Sequence, residues 1–408
     1  MNLQEYQAKS LLAGAGVAVP RGRIATSPDD ADAAAREIDG PVVVKAQILA
    51  GARGKAGGIK LAATPEEAAA AAAAMIGRHL VTIQSGPKGD PVETVLVEEQ
   101  ISIARELFLA FTLDRSLGCE TVIASASGGM EIEEIAARDP RAVLRESITP
   151  GSGIWPFQAR TLATGLGLTG RAAQAFHETL RKLLTLFREL DCSLLEINPL
   201  AVTAHERIVA LDAKIGLDDN AAYRQRLLAD TARRDITDPV EREASRIGVS
   251  YVHLDGNIGC VVNGAGLAMS TVDILAHLGG HAANFLDVGG GADSAKIAAA
   301  LRMILQEPAV KTIFVNIFGG ILRCDVFAQG LIAGVKLAGA NLPIVVRLVG
   351  TNRDEGRRIL TDSGLPLIVE DDLEAAARRA VAIAAEPARS PDLSPGGAAC
   401  GSGVAGGN

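Results

Sequence analysis

The chain has 408 residues, of which 48% are hydrophobic, 22% charged and 3% aromatic, and its formal net charge is −8. A chain of this length divides into two or three domains. The negative charge disfavours nucleic acid as the main partner, because no excess of cations is available to neutralise phosphates, and the low aromatic content disfavours stacking platforms for single strands.

The cysteines and the first residues indicate the compartment. Five cysteines are odd in number, widely spaced and without CxxC pairs, so we expect free thiols in a reducing cytoplasm. The N-terminus has no charged leader followed by an apolar core, and no apolar run reaches the roughly 18 residues of a membrane-spanning helix. We therefore expect an untargeted cytoplasmic protein without a membrane partner.

The first candidate site follows a short predicted helix, residues 2–15. A buried strand ends at Lys45, and the loop 51–58 comes next. Its glycines let the backbone approach a ligand closely, and Arg53 adds positive charge. A phosphate cradle and a mobile basic hairpin both fit this loop, and no P-loop pattern GxxxxGK[ST] can be fitted to it.

Two carboxylates lie at the ends of the next predicted strands. The strand at 95–97 runs into Glu98, and the strand after it begins with Glu106. Such acceptors beside a cleft would hold the amine of a base or the hydroxyls of a ribose, whereas solvated strand ends are the common alternative. The alanine-rich segment 65–78 and the segment capped by Thr169 predict helices that only pack the core.

The next two predicted strands form an antiparallel pair with polar groups on a face that otherwise looks buried. Alternation places Glu196 beside Asn198, and Asp212 beside Lys214. Buried carboxylates need cations or donors, and Mg²⁺ takes one or two carboxylates and shares the rest of its shell with a nucleotide. Asn198 and Asp212 are our candidate ligands, and a core ion pair between Asp212 and Lys214 is the alternative. The pair is formed by residues 194–200 and 207–214.

The charged segment 231–246 predicts a domain boundary, because strands and helices alternate regularly after it. This rhythm predicts a parallel, doubly wound sheet whose ligands lie at the carboxyl ends of the strands. Three strand ends are glycine-rich and lead into helices, whose free N–H groups favour phosphate or carboxylate binding. No GxGxxG with its acidic partner is present, which disfavours a dinucleotide cofactor. The predicted strands are residues 258–262, 283–288, 312–317, 343–348 and 366–369, and the glycine-rich turns are residues 263–266, 287–291 and 316–320.

Six segments, taken in order, resemble the β subunit of succinate–CoA ligase from residue 1 to about residue 388. They are residues 1–9, 51–58, 195–199, 254–269, 284–291 and 316–325. The resemblance implies an α/β fold with an ATP-grasp region over residues 1–238. A flavodoxin-like, doubly wound parallel-sheet CoA-ligase domain would follow over residues 239–388. The remaining tail, 389–408, is rich in Gly, Ser, Ala and Pro and is expected to be disordered.

The resemblance also implies an acid–thiol ligase that joins a small dicarboxylate to coenzyme A at the expense of ATP or GTP, with Mg²⁺. In this family a histidine of the α subunit carries the phosphoryl group, so we expect activity only with an α subunit that also supplies the CoA site. The implied roles are nucleotide binding by Lys45, Ala52, Arg53, Gly54, Glu98, Ile101 and Glu106, Mg²⁺ coordination by Asn198 and Asp212, contact with the dicarboxylate or its phosphate by Asn263, Gly320, Ile321 and Leu322, and orientation of the phosphohistidine by Glu196.

Several alternatives stay open. A malate–CoA ligase β subunit, or one for another small dicarboxylate, would look much the same. Malate brings a hydroxyl that needs a partner, and Leu322 offers none, which favours succinate. A non-catalytic nucleotide-binding protein would show damage at Lys45, Asn198 or Asp212, and these residues are intact. Ala52 replaces a glycine of many family members, and it leaves the choice between ATP and GTP open. The sequence also leaves open whether the complex is αβ or α₂β₂.

Overall fold

A computed structural model of the protein describes residues 1–85, 88–234, 236, 238–339 and 342–386, without the side chains of residues 233 and 234. The chain divides into two compact units, one up to residue 237 and one from residue 238 onward. The tail predicted to be disordered, residues 389–408, lies outside the described residues. Among the helices described, none is both long enough and apolar enough to cross a membrane.

The N-terminal unit contains two larger sheets and a two-stranded ribbon. Its strands are β1 (Gly22–Ala25), β2 (Val42–Ala46), β3 (Ile59–Ala62), β4 (His79–Leu80), β5 (Asp90–Pro91), β6 (Val95–Glu99), β7 (Ile103–Asp114), β8 (Cys119–Ser125), β9 (Val143–Ile148), β10 (Cys192–Thr203), β11 (Ile208–Ala210) and β12 (Ala213–Leu217). Its helices are α1 (Glu5–Gly14), α2 (Pro28–Ile38), α3 (Pro65–Met75), α4 (Ile132–Arg138), α5 (Pro156–Gly165), α6 (Gly170–Glu189) and α7 (Arg226–Arg234).

The four-stranded sheet has the order β1-β6-β2-β3 and is antiparallel throughout. Two helices, α2 and α3, pack their alanines against it around Val42, Val44 and Val97. Both helices begin with a side-chain cap and a proline in the first turn, as Ser27 and Thr64 each accept a backbone N–H three residues on. The sheet therefore presents β2, and with it Lys45, on a rigid support.

The six-stranded sheet has the order β11-β10-β7-β8-β9, and β12 also pairs with β10. The predicted antiparallel pair is confirmed, because β10 pairs with both β11 and β12. The second predicted strand is interrupted, and Asp212 lies in the break between β11 and β12. The predicted apolar face of α6 is confirmed by its buried residues Phe176, Leu180, Leu183, Leu184 and Phe187.

The C-terminal unit is a six-stranded sheet in the order β13-β15-β14-β16-β17-β18. Its strands are β13 (Ser250–His253), β14 (Ile258–Val262), β15 (Asn284–Asp287), β16 (Thr312–Gly319), β17 (Ile344–Gly350) and β18 (Leu367–Glu370). Its helices are α8 (Pro239–Ile247), α9 (Ala265–His277), α10 (Ser294–Leu305), α11 (Cys324–Ala338), α12 (Arg353–Asp362) and α13 (Leu373–Ala385). All five predicted strands are present and parallel. The sequence prediction missed β13, an antiparallel edge strand beside β15.

Both faces of this parallel sheet are covered. Ile313, Val315 and Ile317 of β16 pack into one core with α10 and α11, whereas Phe314 of the same strand packs into a second core with α9 and α13. Successive residues of a strand point to opposite faces, so a strand buried on both sides is apolar without alternation. The predicted doubly wound arrangement is confirmed, and it brings the carboxyl ends of β14, β15 and β16 to one edge.

Candidate active site

A cluster of six charged side chains connects the two larger sheets of the N-terminal unit, and we call it the ion cluster. Its five most buried members are between 2% and 6% exposed, and Asp212 is partly buried. Three cations face three carboxylates, as burial of charge demands, since an unpaired buried charge costs several kcal/mol. The members are Glu5, Lys9, Lys45, Arg53, Glu98 and Asp212.

Lys45 spans the two sheets from its place on β2. Its Nζ lies 2.6 Å from Glu98 Oε1 and 3.1 Å from Glu5 Oε1, and it donates to the carbonyl oxygen of Leu211 at 2.6 Å. Burial alone would lower the pKa of Lys45, but the negative charges of Glu5, Glu98 and Asp212 outweigh it and raise that pKa. The ammonium group is therefore charged throughout the physiological range.

Arg53 is buried in the ion cluster instead of lining an open basic loop. Its Nη1 lies 2.7 Å from Glu5 Oε2 and donates to the Ala46 carbonyl at 2.9 Å. Its Nη2 donates to both oxygens of Asp212 at 2.8 and 2.7 Å. The alternative of a mobile basic hairpin is wrong for Arg53, because a bidentate ion pair fixes its guanidinium.

The loop around Arg53 has a constrained backbone. Ala52 adopts φ +61°, in the left-handed region that favours glycine. A Cβ at Gly58 would lie 2.5 Å from Leu80 Cδ2 and 3.3 Å from the Arg53 carbonyl oxygen, so this part of the loop packs closely against both residues. Gly54 is exposed on the same loop, and its backbone is open to a ligand.

The two candidate metal ligands lie next to each other, as the backbone N–H of Asn198 on β10 donates to the carbonyl of Asp212, between β11 and β12, at 3.3 Å. The Asn198 side chain accepts from the Gly129 N–H at 2.7 Å and donates to the Met130 carbonyl at 2.9 Å. The second contact fixes which end of the amide is oxygen. The alternative of an Asp212–Lys214 ion pair is wrong, because Asp212 pairs with Arg53.

This pair of oxygen donors fits Mg²⁺ held jointly with phosphates. Mg²⁺ usually takes one or two protein oxygens and fills its octahedron with water and phosphate oxygens. The described residues contain no group of three or more His, Cys, Asp or Glu side chains that would form a protein-only metal site. Asn198 and Asp212 each keep a lone pair beyond their present hydrogen bonds.

Glu196 lies on β10, opposite Lys214 of β12 and Ala110 of β7. Burial raises its pKa, and Glu131, Asp212 and Glu133 raise it further, while Lys214 opposes them. The sequence reasoning missed the two acidic neighbours in the segment after Gly129. The glycine pair before them was a sequence signal of close backbone packing, because a Cβ at Gly128 would lie 2.5 Å from the Leu107 carbonyl oxygen.

The predicted strand-end acceptors occupy different environments. Glu98 is 2% exposed inside β6, with Oε1 on Lys45 and Oε2 on Lys9. The interpretation of Glu98 as an open strand end is therefore wrong, since its carboxylate is taken by two ammonium groups. Glu106 is exposed, and β7 begins three residues before it, at Ile103. Ile101 is half-buried in the segment between β6 and β7.

A pocket of about 250 Å³ lies beside the ion cluster. Lys9 and Glu98 form its charged wall, and its apolar walls come from α1, β1 and β6. This combination suits a flat, partly polar group such as a base. The other lining residues include Tyr6, Pro20, Ile24 and Leu96.

In the C-terminal unit, hydrogen bonds tie the three glycine-rich turns together. The Asn263 amide accepts from the Phe318 N–H at 2.9 Å and donates to the Phe318 carbonyl at 2.8 Å. The Oδ1 of Asp287 accepts from the N–H of Gly264 at 2.7 Å and of Gly289 at 2.8 Å. Each turn leads into a helix as predicted, α9 directly after Gly264 and α10 and α11 after the N-cap residues Asp293 and Arg323.

The turn after β16 presents its residues unequally. Ile321 is 87% exposed and follows the exposed Gly320, whereas Leu322 is 2% exposed and packs in the core. The side chain of Leu322 therefore cannot face a dicarboxylate. The argument that Leu322 favours succinate over malate is wrong for the same reason.

Comparison with known proteins agrees with both units. The family model described as ATP-grasp domain matches residues 2–202, and the model described as CoA-ligase matches residues 261–381. A protein of Anaeromyxobacter dehalogenans named succinate–CoA ligase [ADP-forming] subunit β is 52% identical over 382 residues, 93% of this chain and 98% of that protein. This chain belongs to the succinate–CoA ligase β-subunit family. The predicted order of an ATP-grasp domain and a CoA-ligase domain is confirmed.

Other members of this β-subunit family are similar at almost the same level. A protein of Mesorhizobium japonicum named probable malate–CoA ligase subunit β is 51% identical over 383 residues, 94% of this chain and 97% of that protein. Among solved structures, ATP citrate lyase from Methanothrix soehngenii in complex with citrate and coenzyme A matches with a TM-score of 0.71 at 20% identity, covering 93% of this chain and 99% of that one. This last similarity is one of fold.

Proposed function

We propose that this chain is the β subunit of a heteromeric carboxylate–CoA ligase, and that the complex converts succinate, CoA and ATP into succinyl-CoA, ADP and phosphate. The observation that carries the proposal is the ion cluster, which brings Lys45 and Arg53 to Asp212 and its neighbour Asn198. Phosphoryl transfer depends on positioning and charge neutralisation more than on covalent chemistry, and this arrangement supplies both.

Lys45 and Arg53 would neutralise the phosphates of the nucleotide, and Asn198 and Asp212 would hold its Mg²⁺. When bound, Mg²⁺ would further neutralise the negative charge of the phosphates. The loop backbone at Ala52 and Gly54 would lie along the phosphates. The remaining predicted nucleotide contacts are Glu98, Ile101 and Glu106, with the pocket beside Glu98 as the place for the base.

Glu196 would orient the phosphohistidine of the α subunit. Burial and the neighbouring carboxylates raise its pKa, which strengthens its hold on a proton shared with an imidazole. A fully solvated carboxylate would hold that proton less well. Lys214, opposite Glu196 across the strands, keeps the charged form accessible.

The C-terminal unit would present its glycine-rich turns to the dicarboxylate or its phosphate. Exposed backbone at Gly320 and Ile321 would make direct contacts, Leu322 would support the turn from the core, and Asn263 would fix the distance between turns. The α subunit would contribute the phosphohistidine and the CoA site. We place the complex in the cytoplasm, without nucleic acid or membrane partners, because the described cysteines are free thiols and the net charge is −8.

Malate is the second candidate acid. It is favoured by the 51% identity to a probable malate–CoA ligase subunit β, a level one percentage point below the 52% to a succinate–CoA ligase subunit. The two acids differ by one hydroxyl, which a site must either bond or exclude.

The test is co-expression with an α subunit from the same organism, followed by purification and assay of CoA-thioester formation. Succinate, malate and related acids are each supplied with ATP and with GTP. We expect thioester only when both subunits are present, with succinate preferred. If malate is turned over at least as fast as succinate, malate becomes the proposed substrate. Thioester formation by this chain alone would refute the heteromeric proposal.

A further inference from the structure

Glu5, on α1, contacts every cation of the ion cluster. Its Oε1 lies 2.9 Å from Lys9 Nζ and 3.1 Å from Lys45 Nζ, and its Oε2 lies 2.7 Å from Arg53 Nη1. Gln47 donates to the same Oε2 at 3.2 Å. Both oxygens of this one carboxylate thus accept hydrogen bonds from two donors each.

The position of Glu5 is fixed independently of these contacts. The residues around it bond to both larger sheets: the Leu3 N–H donates to the Ile215 carbonyl of β12 at 3.0 Å, and the Tyr6 N–H donates to Gln47 Oε1, just after β2, at 3.0 Å. The Glu5 carboxylate is therefore held at the junction by the backbone of α1, not only by its ion pairs.

We propose that Glu5 is a positioning residue of the nucleotide site, one that holds Lys45 and Arg53 where they face the phosphates. The inference rests on the proposed nucleotide binding by these two cations. Lys9 supports the arrangement from behind, since it bridges Glu5 and Glu98 at 2.9 and 2.5 Å.

The charge balance of the ion cluster predicts how its cations move when Glu5 loses its charge. The ion cluster contains three cations and three carboxylates, and the charges of Arg53, Lys45 and Lys9 overcome burial to keep the pKa of Glu5 well below its usual value. Without the Glu5 charge, Lys45 and Arg53 turn towards the remaining carboxylates, Glu98 and Asp212. The cations then leave their phosphate-binding positions, and Asp212 is drawn away from Mg²⁺.

The test is Glu5→Gln in the complex with the α subunit. Gln keeps the size of the side chain, but its NH₂ group must face donors on one side or the other, so either Arg53 or both Lys9 and Lys45 lose an acceptor. We expect the KM for Mg–nucleotide to rise about tenfold or more, the scale of a lost hydrogen bond between charged groups. The KM values for the acid and for CoA should stay within about twofold of wild type.

Two further variants separate positioning from general stability. Glu120→Gln breaks another partly buried ion pair of this unit, with Arg188 at 2.6 Å, and should lower the melting temperature without raising the nucleotide KM. In a Lys45→Met background the effect of Glu5→Gln should shrink, because part of its target is gone. Glu5→Asp, one methylene shorter, gives the same readout if Glu5→Gln does not fold.

Two outcomes would overturn the proposal. One is an unchanged nucleotide KM in Glu5→Gln or Glu5→Asp, and the other is full additivity with Lys45→Met. Calorimetric titration of the complete chain with Mg–ADP measures the same effect without thioester formation. If the wild-type complex binds Mg–ADP but makes no thioester with any dicarboxylate, the proposed function fails while Glu5 is still judged by nucleotide affinity.

Discussion

The two units build their candidate anion sites in opposite ways. In the N-terminal unit charged side chains from α1, β2, β6 and the loops form a buried, charge-balanced cluster. In the C-terminal unit the turns are held by one amide and one carboxylate that bond to the backbone, at Asn263 and Asp287. A nucleotide triphosphate with Mg²⁺ carries concentrated charge and suits the first construction, whereas a small acid or phosphate suits backbone N–H groups.

The two candidate sites should therefore respond differently to substitutions. A change of charge in the ion cluster leaves a buried partner uncompensated, which is expensive at low dielectric. A change in the glycine-rich turns alters shape and hydrogen bonding without unbalancing a charge network. Variants that remove one charge or one acceptor should therefore separate the two sites.

The largest effect is expected for Lys45→Met. Loss of this ammonium should lower kcat/KM for the nucleotide by about 100-fold or more, since it removes a preorganised cation from the phosphates. It also leaves Glu5 and Glu98 with one cation fewer, so the melting temperature should fall. The control is Lys182→Met on the exposed face of α6, which removes a hydrogen bond to the Gly16 carbonyl but should leave kcat/KM for the nucleotide unchanged. Nucleotide kinetics equal to wild type would remove Lys45 from the site.

A smaller effect is expected for Asp287→Ala in the other unit. The N–H groups of Gly264 and Gly289 lose their shared acceptor, so the turns shift and the KM for the acid should rise about tenfold. The nucleotide KM should not change. The control, Asp372→Ala, removes an acceptor from the N-terminus of α13 and should leave both KM values unchanged. An equal rise in both KM values would mean that the two sites are not separable in this way.

The sequence predicted the C-terminal unit well because its strands are short apolar runs that end in glycine. It also predicted the pairing of β10 with β11 and β12, where alternation of apolar residues is clear. It missed β13, because only Tyr251 of this edge strand is buried and the short segment has no regular pattern. It did not anticipate the orientation of Arg53, since a glycine-rich loop gives no information on which way its cation points.

The role of Glu5 could not be predicted from local sequence. Glu5 and Lys9 are four residues apart on a helix, which is the spacing of an ordinary exposed ion pair. Their other partners, Lys45, Glu98 and Arg53, come from distant parts of the chain and meet them only in the folded unit. The burial of Glu5 and Lys9 thus depends on tertiary contacts, which the local sequence does not show.

Glu196→Gln should increase stability while it lowers turnover. Because the pKa of Glu196 is raised above its usual 4.5 in the folded protein, its ionisation favours unfolding increasingly as the pH rises from that value through the folded pKa. At pH 7 the neutral variant should therefore melt at a higher temperature than the wild type. At low pH, where Glu196 is protonated in both states, the difference should vanish. A melting temperature below wild type at pH 7 would contradict this expectation, and Glu178→Gln on the exposed face of α6 is the control.

The smallest effect is expected for Ala52→Gly. Glycine relieves the left-handed backbone at φ +61°, a gain of about 1 kcal/mol, but it also increases the entropy of the unfolded chain by a similar amount. The free energy of unfolding should change by less than about 0.5 kcal/mol, as the difference of these two terms. Gly289→Ala, at φ +81°, is the opposite exchange with the same two terms reversed, so in denaturant titration it should also change the free energy of unfolding by less than about 0.5 kcal/mol. A change above about 1 kcal/mol at either position would contradict this balance of backbone strain and chain entropy.

The most direct test of the separate roles proposed for the two units is phosphorylation of the α subunit from either side of the reaction. The complex is labelled with γ-phosphate-labelled ATP in one experiment, and with labelled phosphate plus acyl-CoA in the other. Lys45→Met is expected to lose labelling from ATP and to keep labelling from phosphate. Asp287→Ala is expected to keep labelling from ATP and to lose labelling from phosphate. Equal loss of both labelling routes in each variant would contradict it.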